Sequence, residues 1–272
     1  MIVLVVGGSG FLGRELVRQA VAAGHRVIAT HRTQPPAAGV PSEALDIRDR
    51  PAVEDLISRI GPDVVINAAY QTQDWASTAD GAIHVVLAAK GAGARLVHVS
   101  SDALFSGQDG RYPETARPDP ITPYGAAKAA AETAIMIIDP SAVVARTSLI
   151  IGDGDSPTEQ LVHALATGRA TGGLFTDDLR CPVHVADLAA ALLELGAGDH
   201  SGIHHLAGPD SISRHELGLL IARRDGLDSD LLPTSTRAGS GIPGPLDVRL
   251  DGAATQRALR TRLRGAREFL SR

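Results

Sequence analysis

One cysteine, Cys181, stands in a chain of 272 residues, so no internal disulfide can form and nothing ties the protein to an oxidising compartment. Aromatic residues make up only 3% of the chain, with three tyrosines and one tryptophan, so a tyrosine set into a helical segment stands out. No stretch approaches the ~20 consecutive apolar residues of a membrane-spanning helix. Nor is there a dense Lys/Arg run to give the basic footprint of a nucleic-acid binder, and the net charge is -5. The start MIVLVV is apolar but short, has no basic leader and runs into glycines, which reads as a buried strand and not a signal peptide. These absences predict a cytoplasmic protein with neither nucleic acid nor membrane as partner. His200, His204 and His205 flank Gly202 at a turn leading into a strand, where helical ligand spacing is lost, so no metal is expected.

With 44% hydrophobic residues the chain can bury one large domain or two unequal ones. Short apolar runs bounded by turn residues alternate with alanine-rich segments of helical period, which predicts an α/β fold, a doubly wound parallel Rossmann sheet built from βαβ units. Strands are expected at 2–6, 26–30, 63–69, 95–101, 142–150 and 202–208. Crossover helices are expected in GRELVRQAVAAG, RPAVEDLISRIG, ADGAIHVVLAAKGAG and PYGAAKAAAETAIMII. Beyond Ile151 the alternation weakens. Ser213 and Glu216 read as a capping box opening another helix, and RALRTRLRGAR reads as the solvated face of a last one. The expected division is a dinucleotide-binding domain of 1–151 and 183–208, with a smaller discontinuous substrate lobe of 152–182 and 209–272.

VVGGSGFLGREL ends the first strand with Gly7, Gly10 and Gly13 and opens an amphipathic helix. A pyrophosphate must touch backbone there, and the helix must pack on the strand with its N-terminal amides facing the anion. The turn residues Gly7, Ser9, Gly10, Phe11, Leu12 and Gly13 are therefore candidate cofactor contacts. At the end of the second strand an acid would hold the ribose hydroxyls of NAD, and a base the 2′-phosphate of NADP. THRTQ places Arg32 there, with His31 and Thr30 beside it, so NADP(H) is the preferred cofactor and NAD(H) the alternative. ALDIRD offers Asp46 and Ile47 for the adenine, and INAAY places the small Ala68 and Ala69, followed by Tyr70, at the sheet edge.

TPYGAAKAAAE sets Tyr124 four residues ahead of Lys128, on one helical face, so the ammonium can favour the phenolate. A phenol with an ordinary pKa of ~10 becomes a usable acid near neutrality only with such a neighbour. Lys128 can also hold the cofactor ribose, and Ser101, ending the fourth expected strand, would aim its hydroxyl at the same substrate oxygen.

Taken together, GGSGFLG, LDIRD, VVINAAY, HVSSDALFSG, YGAAKAAAE, RTSLIIG, CPVHVADLAAAL and GIHHLAG resemble, in order and spacing, the extended short-chain dehydrogenase/reductase superfamily. Within it the chain looks like the dTDP-4-dehydrorhamnose reductase branch, over nearly its whole length. The resemblance implies Ser101 and Asp102 beside the substrate carbonyl, Tyr124 as proton donor, Lys128 as its electrostatic partner and ribose ligand, and a homodimer. It implies NADPH-dependent reduction of a keto group, that of a small-molecule substrate such as a nucleotide sugar. Leu149, Arg180 and Arg249 are the candidate substrate contacts. Three positions depart from the branch: Thr78 where relatives carry Asn, Leu149 where they carry Trp, and Gly244 where they carry Arg. Two alternatives stand beside the reductase: an NAD-dependent epimerase or dehydratase with Asp102 as acid or base, and a non-catalytic dinucleotide-binding regulatory subunit.

Overall fold

The computed structural model describes residues 1–35 and 39–271. Its centre is a seven-stranded parallel sheet. The strands are β1 (Ile2–Val6), β2 (Arg26–His31), β3 (Ser42–Ala44), β4 (Val64–Asn67) and β5 (Arg95–Ser101), joined by Val143–Thr147 and Gly202–Leu206. From one edge the order is Gly202–Leu206, Val143–Thr147, β5, β4, β1, β2, β3. β1 is the point of reversal, with Val5 opposite Ala29 of β2 on one side and Ile66 of β4 on the other. In such sheets ligands bind beyond the strand ends where the order reverses.

Helices cover both faces, and for that reason the central strands are continuously apolar instead of alternating: Val3 to Val6 and Val64 to Ile66 are all buried. The crossovers are α1 (Phe11–Ala22), α2 (Arg50–Ile60), α3 (Gly81–Gly91) and α4 (Pro123–Ile138). α2 begins at Asp49, whose carboxylate accepts from the Ala52 amide at 3.1 Å, and stops at Gly61, left-handed at φ +57°. Its Val53, Leu56 and Ile57 share one apolar core with Val85 and Ala89 of α3, Ala131 and Ile135 of α4, and Leu4, Val65 and Leu96 of the sheet.

Four details differ from the sequence reading. β3 was not foreseen, since three residues containing Ser and Glu hold no apolar run; backbone pairing with β2, Thr30 opposite Glu43, makes it a strand. The strand expected over 142–150 ends at Thr147, and Ile150–Ile151 pairs separately with Val183–His184. The capping box at Ser213 is half formed. Its hydroxyl accepts from the Glu216 amide at 3.0 Å, but the Glu216 carboxylate is taken by Arg267 at 2.5 Å. The complete box is at Ser156 and Glu159. The expected last helix is two, Ala253–Ala258 and Ala266–Phe269; between them Arg264 turns to Asp187 at 2.8 Å.

The chain forms two compact units. The first comprises residues 1–101, 123–146 and 189–204, and the second 102–122, 147–188 and 205–272. In the second, Gly110–Tyr112 pairs with Val248–Leu250, Leu174–Phe175 with Thr234–Ser235, and Leu179–Arg180 with Ile212–Ser213. Val162, Leu174, Leu217, Ile221 and Phe269 centre its core.

Candidate active site

The turn after β1 is built on close backbone approach. Gly7 is left-handed at φ +85°, and a methyl there would lie 2.9 Å from the Ala69 amide nitrogen. At Gly13 a methyl would fall 2.1 Å from the Gly7 carbonyl oxygen, so α1 sits as near the turn as glycine permits. Gly8 has the same need, since a methyl would stand 2.7 Å from the Ala29 Cβ. Gly10 is looser, its nearest neighbour being the Gly7 oxygen at 3.3 Å. Thr30, expected to assist Arg32, lines the cleft beside it and also clasps the turn: its hydroxyl accepts from the Gly7 amide at 3.1 Å and its carbonyl from the Gly8 amide at 2.8 Å.

A cleft opens over this turn within the first unit. Gly7, Ser9 and Gly10 form its floor, His31 and Arg32 one wall, Asp46 and Ile47 another, and Ala68, Ala69 and Tyr70 the edge toward β4. Ten of the residues expected from sequence to meet the cofactor thus line one cleft. Phe11, Leu12 and Gly13 lie on α1 and do not line the cleft; Leu12 is buried in the core. Thr33, Leu45, Gln71 and Ser77 line it without having been foreseen. Asn67 fixes the alanine edge, its side-chain oxygen accepting from the Ala69 amide at 3.2 Å. Ile47 is seated by Gly81, where a methyl would meet its Cγ1 at 2.6 Å. Asp46 is gripped by the Arg48 guanidinium at 2.5 Å, and hydrogen bonds from Arg48, with the Arg32 charge adding, hold its carboxyl down at about 2. A glycine floor, small residues at the sheet edge and a helix N-terminus suit a dinucleotide, and Arg32 leaves the far wall positive.

Tyr70, which lines the cleft, links it to the tyrosine and the lysine of α4. The Tyr70 ring lies 5.9 Å from that of Tyr124, and the Lys128 ammonium sits 5.2 Å from the Tyr70 centroid. Tyr124 is half-buried, whereas Lys128 is only 2% exposed and donates to the Val99 carbonyl of β5 at 2.9 Å. Burial outweighs the neighbouring Glu132 charge and lowers the Lys128 ammonium to about 8. His98, fully buried on β5, is held well below its ordinary range by burial and by Lys128. It stays neutral beside the cation, its Nδ1 3.3 Å from the Asn67 amide group. Ser101 ends β5. Thr78 lies in a π-helical turn, Ala76–Asp80; its hydroxyl donates to the Gln71 carbonyl at 2.7 Å and accepts from the Gln71 amide at 3.1 Å, closing the loop behind Tyr70.

Sequence reasoning missed the next turn of α4. Glu132 continues the stripe of Tyr124 and Lys128 at the same four-residue spacing, and its carboxylate takes Arg146 at 3.1, 3.1 and 2.8 Å. An i, i+4 carboxylate on an apolar helix was the available signal; its partner on a distant strand gave none.

In the second unit, Asp102 accepts from the Ser148 hydroxyl at 2.6 Å and lies 3.6 Å from Arg180 Nε. Arg180 is buried and occupied, with Nη1 on Asp178 at 2.8 Å and Nη2 on the Pro245 carbonyl at 2.8 Å. Arg249 is exposed and pairs with Asp247 at 2.7 Å, while Leu149 packs against the apolar core. The space beside Gly244 is filled by Arg237: a methyl at 244 would meet its Nη1 at 2.7 Å. That guanidinium bonds Asp178 at 2.8 and 2.5 Å and stacks 4.6 Å from the Phe175 centroid.

The chain is similar to known proteins over most of its length. A dTDP-4-dehydrorhamnose reductase of Mycobacterium tuberculosis is 32% identical over 259 residues, 89% of this chain and 81% of that protein. The crystal structure of a hypothetical dTDP-4-dehydrorhamnose reductase from Sulfolobus tokodaii is 31% identical, covers 96% of both chains and superposes with a TM-score of 0.84. That of a Bacillus anthracis dTDP-4-dehydrorhamnose reductase in complex with NADP covers 99% of this chain and 97% of that one, with a TM-score of 0.87 at 22% identity, a likeness of fold. Since the family described as the RmlD substrate-binding domain matches residues 1–272 throughout, the chain belongs to it, and so to the NAD(P)-dependent reductases of the extended short-chain dehydrogenase/reductase type.

Proposed function

We propose that this chain reduces the keto group of a nucleotide sugar with NADPH, in the cytoplasm. The first unit would hold the dinucleotide and the second the sugar nucleotide. The observation that carries the reading is the buried Lys128 ammonium, 5.2 Å from the ring of Tyr70, which lines the cleft and lies 5.9 Å from the Tyr124 ring. The nicotinamide, when bound, supplies hydride to the carbonyl carbon. Tyr124 gives its phenolic proton to the oxygen as charge develops there, and the Lys128 cation lowers the cost of the phenolate left behind. Ser101 donates a hydrogen bond to that same oxygen. Asp102 serves as a positioning group on Ser148 and Arg180 and is not used as an acid or base.

NADPH is favoured over NADH because Asp46, an acid near the cleft wall, is already neutralised by Arg48, while the exposed Arg32 offers a planar fork to a 2′-phosphate. Arg32→Asp is expected to weaken NADPH roughly 10- to 100-fold, the loss of one or two charge-assisted hydrogen bonds, and to leave NADH little changed. Fluorescence titration with both cofactors checks this, and equal affinities in the unmodified protein would remove the assignment.

The reading as a whole is tested by following NADPH oxidation against a panel of nucleotide 4-keto sugars. The sugar face has Leu149 in place of the branch's Trp, and its arginine comes from position 237, pinned on Asp178. A 4-keto sugar other than dTDP-4-dehydrorhamnose is therefore expected to be the better substrate by kcat/KM. Failure to reduce any member of the panel would reject the function.

A further inference from the structure

Lys128 is followed along α4 and onto the neighbouring strand by two more buried charges, which the reaction does not use. Lys128 of α4 is 2% exposed, Glu132 one turn later 3%, and Arg146 on the neighbouring strand 1%. Both Glu132 oxygens are held by the Arg146 guanidinium, a forked geometry that leaves the carboxylate little freedom to rotate. An ion pair this deep adds little stability over apolar side chains of the same volume, because both charges must give up water. Its retention next to a buried ammonium points to a use. The hydrogen bond that Lys128 donates goes to a neutral carbonyl, so a negative charge for this buried ammonium has to come from another side chain.

We propose that Glu132 and Arg146 are positioning residues for the reduction: Arg146 immobilises the Glu132 carboxylate one helical turn from Lys128, and that fixed charge keeps the Lys128 ammonium protonated in its buried place behind Tyr124. The inference rests on the reductase reading for its purpose. Its electrostatics stand on the geometry alone.

The other ionisable groups around α4 do not take this part. His98 of β5 is neutral and would only repel the ammonium if it gained a proton. Tyr70 and Tyr124 present rings. From α3, His84 is bound to the Ile47 carbonyl at 2.9 Å, and Lys90 donates to the Ile138 carbonyl at the far end of α4. Asp80, in the π-helical turn, is exposed. Glu132 is the negative charge that acts on Lys128, opposing the effect of burial.

The chain offers a direct readout, because Lys90 and Lys128 are its only lysines. Protein grown with lysine carrying a carbon-13 label at Cε gives two side-chain signals, which Lys90→Arg assigns. The Lys128 signal is followed through a pH titration in the unmodified protein and in the double variant Glu132→Gln, Arg146→Gln. The double variant removes the pair together, so that neither Glu132 nor Arg146 is left as a charge without the other. Its midpoint is expected to fall, by less than the roughly 1 to 3 pH units that go with a lone close opposite charge, because the Arg146 cation leaves with the carboxylate. The alkaline limb of kcat/KM for NADPH-dependent reduction is expected to fall with it. A purely structural pair would change thermal stability and leave both untouched, so an unmoved Lys128 midpoint in a folded double variant overturns the proposal. If the double variant does not fold, Glu132→Asp, which draws the carboxylate back by one methylene, decides by the same midpoint: a smaller fall supports the proposal and none overturns it. A displaced midpoint in a protein that reduces no carbonyl would leave this inference standing and remove the reductase reading instead.

Discussion

Tyr124→Phe is expected to cut turnover by roughly 10²- to 10⁴-fold, the range contributed by a positioned proton donor, while NADPH titrates nearly as before. The substitution deletes one oxygen and keeps the ring, so the contact with the Tyr70 ring at 5.9 Å persists and the edge of the cleft keeps its shape. None of the cleft's floor or walls is built from Tyr124. What is lost is the phenol that shares a helical face with Lys128, and water cannot replace it, because a water-borne proton lacks both the fixed position and the cationic neighbour. Lys128→Met is a different lesion. It removes the bond to the Val99 carbonyl as well as the charge, so cofactor binding and turnover are expected to fall together. Single-turnover NADPH oxidation with fluorescence titration separates the two variants. Near-normal turnover in Tyr124→Phe would show that the proton comes from elsewhere and would end the Tyr124 mechanism.

What could be read from sequence follows how local the physics is. The turn after β1 and the Tyr124–Lys128 face are set by neighbours within a few residues, so spacing alone discloses them. The same holds for α4, expected over 123–138 and found there. Thr30 shows the limit. Its place at the end of β2 puts it in the cleft lining, and its hydroxyl also meets an amide 23 residues earlier in the chain, a pairing that no local pattern announces. Arg146 and Glu132 are 14 residues apart on different elements, and Arg237 reaches Asp178 across 59. In the second unit the strands are mostly two or three residues long, and pairing rather than periodicity makes them strands. The glycine turn and α4 were legible for the same reason that the short strands of the second unit were not.

The glycines provide the sharpest case, because their spacing makes three of them look alike and the structure ranks them. Gly13→Ala is expected to destabilise the protein by about 1–3 kcal/mol, the usual cost of overpacking. In a chain of this size that lowers the melting temperature by roughly 2 to 12 °C. The added carbon would lie 2.1 Å from the Gly7 oxygen and 2.8 Å from the Gly8 Cα, and both obstacles are backbone, so α1 itself has to lift away from the turn. Lifting α1 also withdraws its N-terminal amides from the cleft, and NADPH affinity should fall with stability. Gly10→Ala separates the two effects. Gly10 has φ −70°, which any residue adopts, and its methyl would approach only the Gly7 oxygen, at 3.3 Å. Its melting temperature should stay near that of the unmodified protein. Yet Gly10 lines the cleft, so the methyl occupies the surface on which a pyrophosphate would rest, and NADPH binding should weaken without loss of stability. Calorimetry and fluorescence titration on the two variants read the distinction. If Gly10→Ala melted as early as Gly13→Ala, or if Gly13→Ala bound NADPH normally, the division between a glycine that seats the helix and one that meets the phosphate would be wrong.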